Sequence, residues 1–164
     1  EAGKLIRSIF NHKVNADQHT IAALFVADRL QHLLDKEHGI LAMLEKGYTV
    51  ITDRYYFSSY AYHSAYVEMD WVMSINAKCA ALLRPDRNIF VDVDPETAFR
   101  RIVSTRTSTE LYETNENLRK VYSNYLKAFE LLKESENIVF VKSKNEVQQV
   151  ASDIFKSVKN LLHT

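Results

Sequence analysis

Three short apolar runs that alternate with long helical patterns are the feature that most constrains the fold of this chain. The runs span residues 48–52, 88–93 and 138–141, and Ile, Phe and Val dominate the second and third. Strands separated by helices must cross over and run parallel, and such a sheet is buried between layers of helices. The pattern therefore predicts an α/β domain with a parallel sheet covered by helices on both faces.

The helices are predicted from apolar residues that recur every three to four positions. Asp94-Pro95-Glu96 marks the start of one helix. Asp94 can cap it, Pro95 suits the first helical position and Glu96 favours its positive end. Continuous helical patterns cover residues 16–36, 39–46, 58–65, 70–83, 115–135 and 146–162.

Composition narrows the function classes. The chain has 164 residues, of which 21 are basic and 21 acidic, so its formal net charge is zero. A nucleic-acid binder draws most of its affinity from a basic surface, so a small anionic ligand is favoured over a polymer. No apolar run is long enough to cross a bilayer. The single cysteine, Cys79, excludes an internal disulfide framework, fits a reducing cytoplasm and is expected to be a small core residue.

Asp53-Arg54-Tyr55 follows the first apolar run directly. The carboxyl end of a strand in an α/β sheet is where a ligand crevice opens. Arg54 carries a planar fork of donors that suits a phosphate, and Asp53 can orient that arginine or hold a magnesium-bound water. A salt bridge that merely closes the strand end would give the same pattern.

A second pair lies upstream, where Phe25 and Arg29 are four residues apart and so share one helix face. A nucleobase could stack on the ring while the guanidinium neutralises phosphate oxygens. The alternative is a core phenylalanine beside an arginine whose charged end reaches solvent.

Together these segments resemble the thymidylate kinase family, which transfers the γ-phosphoryl group of ATP to dTMP. The matching stretches are Leu24 to Arg29, Asp53 to Tyr62, Arg84 to Glu96 and Glu110 to Glu113, in the family's order and spacing. The resemblance extends over essentially the whole chain. It implies the P-loop kinase fold, a single domain over residues 1–164, ATP as co-substrate and Mg²⁺.

One family motif is absent from the sequence. The chain has three glycines and no Gly-x-x-x-x-Gly-Lys, the loop whose backbone N–H groups cradle phosphates. By resemblance, residues 1–7 correspond to a family segment just after the second strand. We therefore expect a strand, phosphate loop and helix of about 30 residues or more to precede Glu1, and we expect activity to require them.

The resemblance also implies roles for individual residues. Arg54 would bind the dTMP phosphate, Phe25 would stack on the base, and Arg29 would contact the base or phosphate. Further substrate-binding residues would be Ser59 beside the polar edge of the base, Tyr62 and Tyr112 against the deoxyribose, and His63, which stands where many bacterial members have Gln.

Residues 104–112 are expected to form a mobile lid, because hydroxyl side chains there compete with helical hydrogen bonds. By resemblance, Arg106 in this lid and Asp53 would be the catalytic residues, with Mg²⁺ held through ATP and water rather than by a protein metal site. Arg100 and Arg101 are expected to be helix-surface charges.

The expected partners are dTMP and ATP, with no nucleic acid and no membrane, and the expected location is the cytoplasm. The apolar helix around residues 21–34 could also pack across a two-fold axis in a homodimer, although core burial explains the same pattern. Two other functions stay open at this point: a non-catalytic nucleotide-binding homologue, and a deoxynucleoside kinase. Arg29 with Phe25 and the Glu110 to Glu113 match argue against the latter.

Overall fold

The computed structural model describes residues 2–105, 114–143 and 146–162. Two short strands form the sheet within these ranges: β1 spans Asn88–Asp92 and β2 spans Ile138–Lys142. The helices are α1 Ala2–Phe10, α2 Gln18–Leu34, α3 Ile40–Glu45, α4 Tyr56–His63, α5 Met69–Leu82, α6 Pro95–Thr105, α7 Asn115–Leu132 and α8 Val147–Val158, which a 3₁₀ turn Lys159–Leu161 follows. No helix in the described ranges has the length and apolar character needed to cross a bilayer.

Side-chain caps fix where several helices begin. The Asp17 carboxylate accepts the backbone N–H groups of His19 and Thr20 at the start of α2. Asp94 accepts the N–H of Thr97 at 2.9 Å, so the predicted start of α6 is confirmed.

The sheet pairs β1 with β2 in parallel, with Asn88 opposite Ile138 and Asp92 opposite Lys142. The predicted parallel pairing of these two runs is confirmed. Helix α7 covers one face, where Phe90 packs against Phe129 with ring centroids 5.0 Å apart. Cover on both faces stays a prediction.

The prediction of a strand over residues 48–52 is wrong. This segment is irregular, and the Ile51 side chain is 93% exposed. A strand needs the backbone groups of a neighbouring strand, and none of the described residues pairs with this segment. Its β-branched residues alone do not make it a strand.

Helix α1 was not expected from the sequence. It buries Ile6 and Ile9 and packs along α2. Gly3 permits this approach, because a Cβ there would lie 2.9 Å from the Asp28 Oδ1 atom.

Two apolar clusters hold the helices together. The smaller one contains Cys79, which is fully buried beside Leu33 and Ile40, so its predicted place in the core is confirmed. The larger cluster joins α4, α5 and α7 and contains Tyr56, Phe57, Tyr60, Val67, Met69, Val72, Ala128 and Phe129.

Candidate functional site

A cleft of about 750 Å³ opens between α2, α4 and the irregular segment before α4. Every described residue of the predicted site lines it, although these residues come from sequence segments about 30 positions apart. The lining comprises Phe10, Phe25, Asp28, Arg29, His32, Ile40, Thr52, Asp53, Arg54, Tyr55, Ser58, Ser59, Tyr62, His63, Ile102 and Leu118. Arg106 and Tyr112 lie outside the described residues.

Arg29 is held inside the protein rather than reaching into solvent. Its Nη1 donates to the Asn76 Oδ1, and its Nη2 donates to the Ser59 Oγ at 2.9 Å. Its guanidinium also lies 5.6 Å from the Tyr55 ring centroid. Burial lowers the pKa of Arg29, an effect that Cys79 and Tyr55 offset in part, but an arginine stays charged. A fixed positive charge therefore borders the cleft.

Asn76 positions this arginine, and the sequence reasoning missed it. It lies in α5 with 0% exposure, and its amide also donates to the Val72 carbonyl at 2.8 Å. A buried amide is expected to use both its oxygen and its nitrogen in hydrogen bonds, and Asn76 does so. An asparagine on the same helix face as the apolar residues Val72 and Cys79 was the available signal.

Arg54 stands at the mouth of the cleft in a left-handed backbone conformation, with φ of 70°. That region is uncommon for residues other than glycine and is typical of functional sites. The guanidinium lies 4.9 Å from the centroid of the Tyr62 ring. Partial desolvation is the largest effect on the pKa of Arg54 and lowers it, but Tyr62, Tyr125 and Asp53 together raise that pKa overall.

Asp53 and Arg54 do not form the salt bridge that the sequence left open. Asp53 is exposed and acts on Arg54 through its charge without a direct ion pair. The Thr52 hydroxyl donates to the Arg54 carbonyl at 3.2 Å, which supports the turn. Both charged residues line the cleft.

Aromatic rings form one wall of the cleft. The rings of Phe25 and His63 have centroids 5.0 Å apart and are tilted by 53°. Phe10, which the sequence reasoning missed because α1 was not expected, meets Phe25 edge-on at 6.2 Å. Such a wall can take the face of a flat ring.

His63 is a neutral imidazole within this wall. It is 3% exposed, and its Nδ1 has no hydrogen-bond partner among the described residues. Burial, assisted by the charge of Arg29, lowers the pKa of His63 to about 4. At neutral pH the ring therefore carries one donor and one acceptor nitrogen and no charge.

Arg101 is an exposed residue of α6, as expected, and it also bonds the end of the sheet. Its guanidinium donates to the Ser143 Oγ and to the Ser143 carbonyl, both at 3.1 Å, and so ties α6 to the end of β2. Arg100 bonds Thr97 on its own helix and is exposed, as expected. Ser104 and Thr105 belong to the last turn of α6, and the rest of the predicted lid lies outside the described residues.

The chain is similar to known proteins over almost its full length. The thymidylate kinase family model matches residues 1–154. A protein of Methanocaldococcus jannaschii described as a probable thymidylate kinase is 37% identical over 98% of this chain and 78% of its own length. Proteins of the same description from Pyrococcus horikoshii and Staphylothermus marinus are 36% and 37% identical, over 99% and 87% of this chain and 78% and 67% of their own lengths.

An α/β fold, a cleft lined by aromatic rings and arginines, and these matches define a nucleoside monophosphate kinase. Within that class the chain belongs to the thymidylate kinase family.

Proposed function

We propose that the protein phosphorylates dTMP to dTDP at the expense of ATP, a step of dTTP synthesis. The observation that carries this proposal is one cleft that combines a stacking ring, Phe25, with a guanidinium at its mouth, Arg54. A pyrimidine nucleotide offers a flat base and a dianionic phosphate, which match these two groups.

The remaining cleft residues fit the parts of a nucleoside. Thymine would stack on Phe25, with the Arg29 charge and the His63 imidazole beside its polar edge. Ser59 is buried and hydrogen-bonded to Arg29, so it would act by fixing that arginine next to the base. Tyr62 and Tyr112 would pack on the deoxyribose and disfavour a 2′-hydroxyl.

Phosphoryl transfer would depend on positioning and charge more than on side-chain chemistry. Arg54 would hold the acceptor phosphate, and Arg106 would neutralise charge on the transferred group. The sequence contains no Gly-x-x-x-x-Gly-Lys. We propose that turnover needs a phosphate loop to hold the ATP phosphates, in a P-loop kinase fold with helices on both faces of the sheet.

Mg²⁺ fits this site as an ion carried by ATP. No group of three or more metal-ligating side chains occurs within the described ranges, so the protein offers no cage of its own there. Mg²⁺ typically keeps several waters and binds phosphate oxygens with one or two carboxylates. Asp53, exposed at the mouth of the cleft, would orient one such water, and the ion would supply charge neutralisation to the phosphates.

The expected partners, cellular location and oligomeric state follow from the same proposal. A balanced net charge fits small nucleotides, dTMP and ATP, and no nucleic-acid partner. We propose a cytoplasmic enzyme without a membrane partner, and a homodimer formed through α2.

Phe25→Ala tests the stacking that this function requires. We expect dTMP affinity to fall by about 1–3 kcal/mol, the scale of aromatic–base stacking, and ATP affinity to stay unchanged. Calorimetric titration measures both, and Phe155→Ala, on exposed α8, is the matched control. Unchanged dTMP affinity in a folded Phe25→Ala variant would show that Phe25 only packs in the core and does not stack on the base.

A further inference from the structure

Tyr125 of helix α7 contacts two residues that line the cleft, Ser58 and Tyr62. The Tyr125 hydroxyl and the Ser58 hydroxyl are 2.7 Å apart, and either can be the donor. Ser58 lies in the first turn of α4, four residues after Arg54. This bond therefore links α7 to the first turn of α4, a helix that begins two residues after Arg54.

The same tyrosine also contacts the ring next to Arg54. The Tyr62 and Tyr125 rings meet edge to face at 90°, with centroids 6.3 Å apart. The Arg54 guanidinium lies 4.9 Å from the Tyr62 ring centroid. Tyr125 is thus connected to Arg54 through the Tyr62 ring, and through Ser58 it also holds the first turn of α4, which follows Arg54.

Electrostatics agree with this geometry. Desolvation is the main cause that raises the pKa of Tyr125, so its hydroxyl keeps its proton at neutral pH. Tyr125 in turn contributes to the raised pKa of Arg54. A neutral hydroxyl can orient the cation without removing its charge.

We propose that Tyr125 is a positioning residue for Arg54, which fixes the guanidinium for the acceptor phosphate through Ser58 and Tyr62. The inference rests on the proposed role of Arg54 in dTMP binding. It adds that the helix following residues 106–113 takes part in building the phosphate subsite. The same arrangement predicts that removing one hydroxyl changes phosphate recognition and leaves nucleoside recognition intact.

Tyr125→Phe is the test, because it removes the hydroxyl and keeps a ring that also packs on Phe90 and Phe129. We expect dTMP to bind about tenfold more weakly and thymidine, which lacks the phosphate, to bind as before. Ser58→Ala should reproduce the loss, and the double variant should lose no more than either single one. Tyr66→Phe removes another hydroxyl, bonded to Asn117 of α7 at 3.0 Å, and is the matched control.

A measurement without ligand separates this inference from the proposed function. The hydrogen-exchange rate of the Arg54 Nε–H, followed by NMR, should rise severalfold in Tyr125→Phe and stay constant in Tyr66→Phe. An unchanged Arg54 signal, or equal losses for dTMP and thymidine, would overturn the positioning role. Failure of the unaltered protein to bind dTMP would contradict the proposed function, and the Arg54 signal would still decide the positioning role.

Discussion

The helices around the cleft bury their key side chains more fully than the segments that the sequence marks as strands. In the helical region Asn76 has 0% exposure and both sides of its amide are hydrogen-bonded. In the strand-like region Ile51 is 93% exposed and Phe140, in β2, is 50% exposed. Helices complete their backbone bonds internally, whereas a strand depends on its neighbours. The cleft is therefore lined mainly by helices, whose backbone hydrogen bonds do not depend on a distant segment.

The largest expected effect lies in the helical region. Asn76→Leu removes the acceptor of Arg29 and leaves that cation without its main partner, so we expect the free energy of unfolding to fall by roughly 3 kcal/mol. Lys78→Leu, which also replaces a polar side chain by leucine but at an exposed position of α5, should cost less than about 0.5 kcal/mol. Urea unfolding compares the two. Equal losses would mean that the Arg29 network does not stabilise this region.

The next effect is a pH dependence centred on His63. Its pKa is about 4 in the folded protein and about 6.5 when unfolded, so the unfolded state takes up the proton first as pH falls. The contribution of His63 to the free energy of unfolding is complete above the pKa of the unfolded state. It is lost as pH falls from about 6.5 towards 4. Because of His63, we expect the free energy of unfolding to be about 2–3 kcal/mol lower at pH 4.5 than at pH 7.

His63→Gln should remove that share of the pH dependence, while His32→Gln, at an exposed position of α2, controls for the loss of an imidazole as such. Denaturant melts at the two pH values provide the measurement. An identical pH dependence in His63→Gln and the unaltered protein would show that His63 is not buried as described.

The smallest expected effect lies in the irregular segment. Ile51→Ser should change the free energy of unfolding by less than about 0.5 kcal/mol, because the side chain is exposed. Val141→Ser, in β2, should cost roughly 2–3 kcal/mol, since that side chain is 5% exposed. Similar costs at both positions would indicate that residues 48–52 are packed as a strand after all.

The sequence predicted which residues line the cleft but not the residues that hold them in place, for a physical reason. Spacing placed Phe25 and Arg29 on one helix face, and the family resemblance joined them to Arg54; all three line one cleft. The partners of these residues come from far along the chain: Asn76 is 47 positions from Arg29, and Tyr125 is 67 positions from Ser58. Only the folded arrangement reveals such pairs.

The same reasoning explains why the strand prediction for residues 48–52 was wrong. Residues 48–52 have strand-like composition, but pairing depends on another segment that local pattern does not specify. In the runs that became β1 and β2, each strand has the other as its neighbour. The start of α6 was predictable because Asp94 caps it within three residues.

Titration of Arg54→Lys with dTMP and with thymidine tests the central claim most directly, namely that the cleft holds a nucleotide with its phosphate at Arg54. Lysine keeps the charge but cannot present the planar fork, so dTMP should bind about tenfold more weakly or worse, while thymidine affinity changes by less than about twofold. Equal losses for both ligands, or no loss for either, would contradict the account.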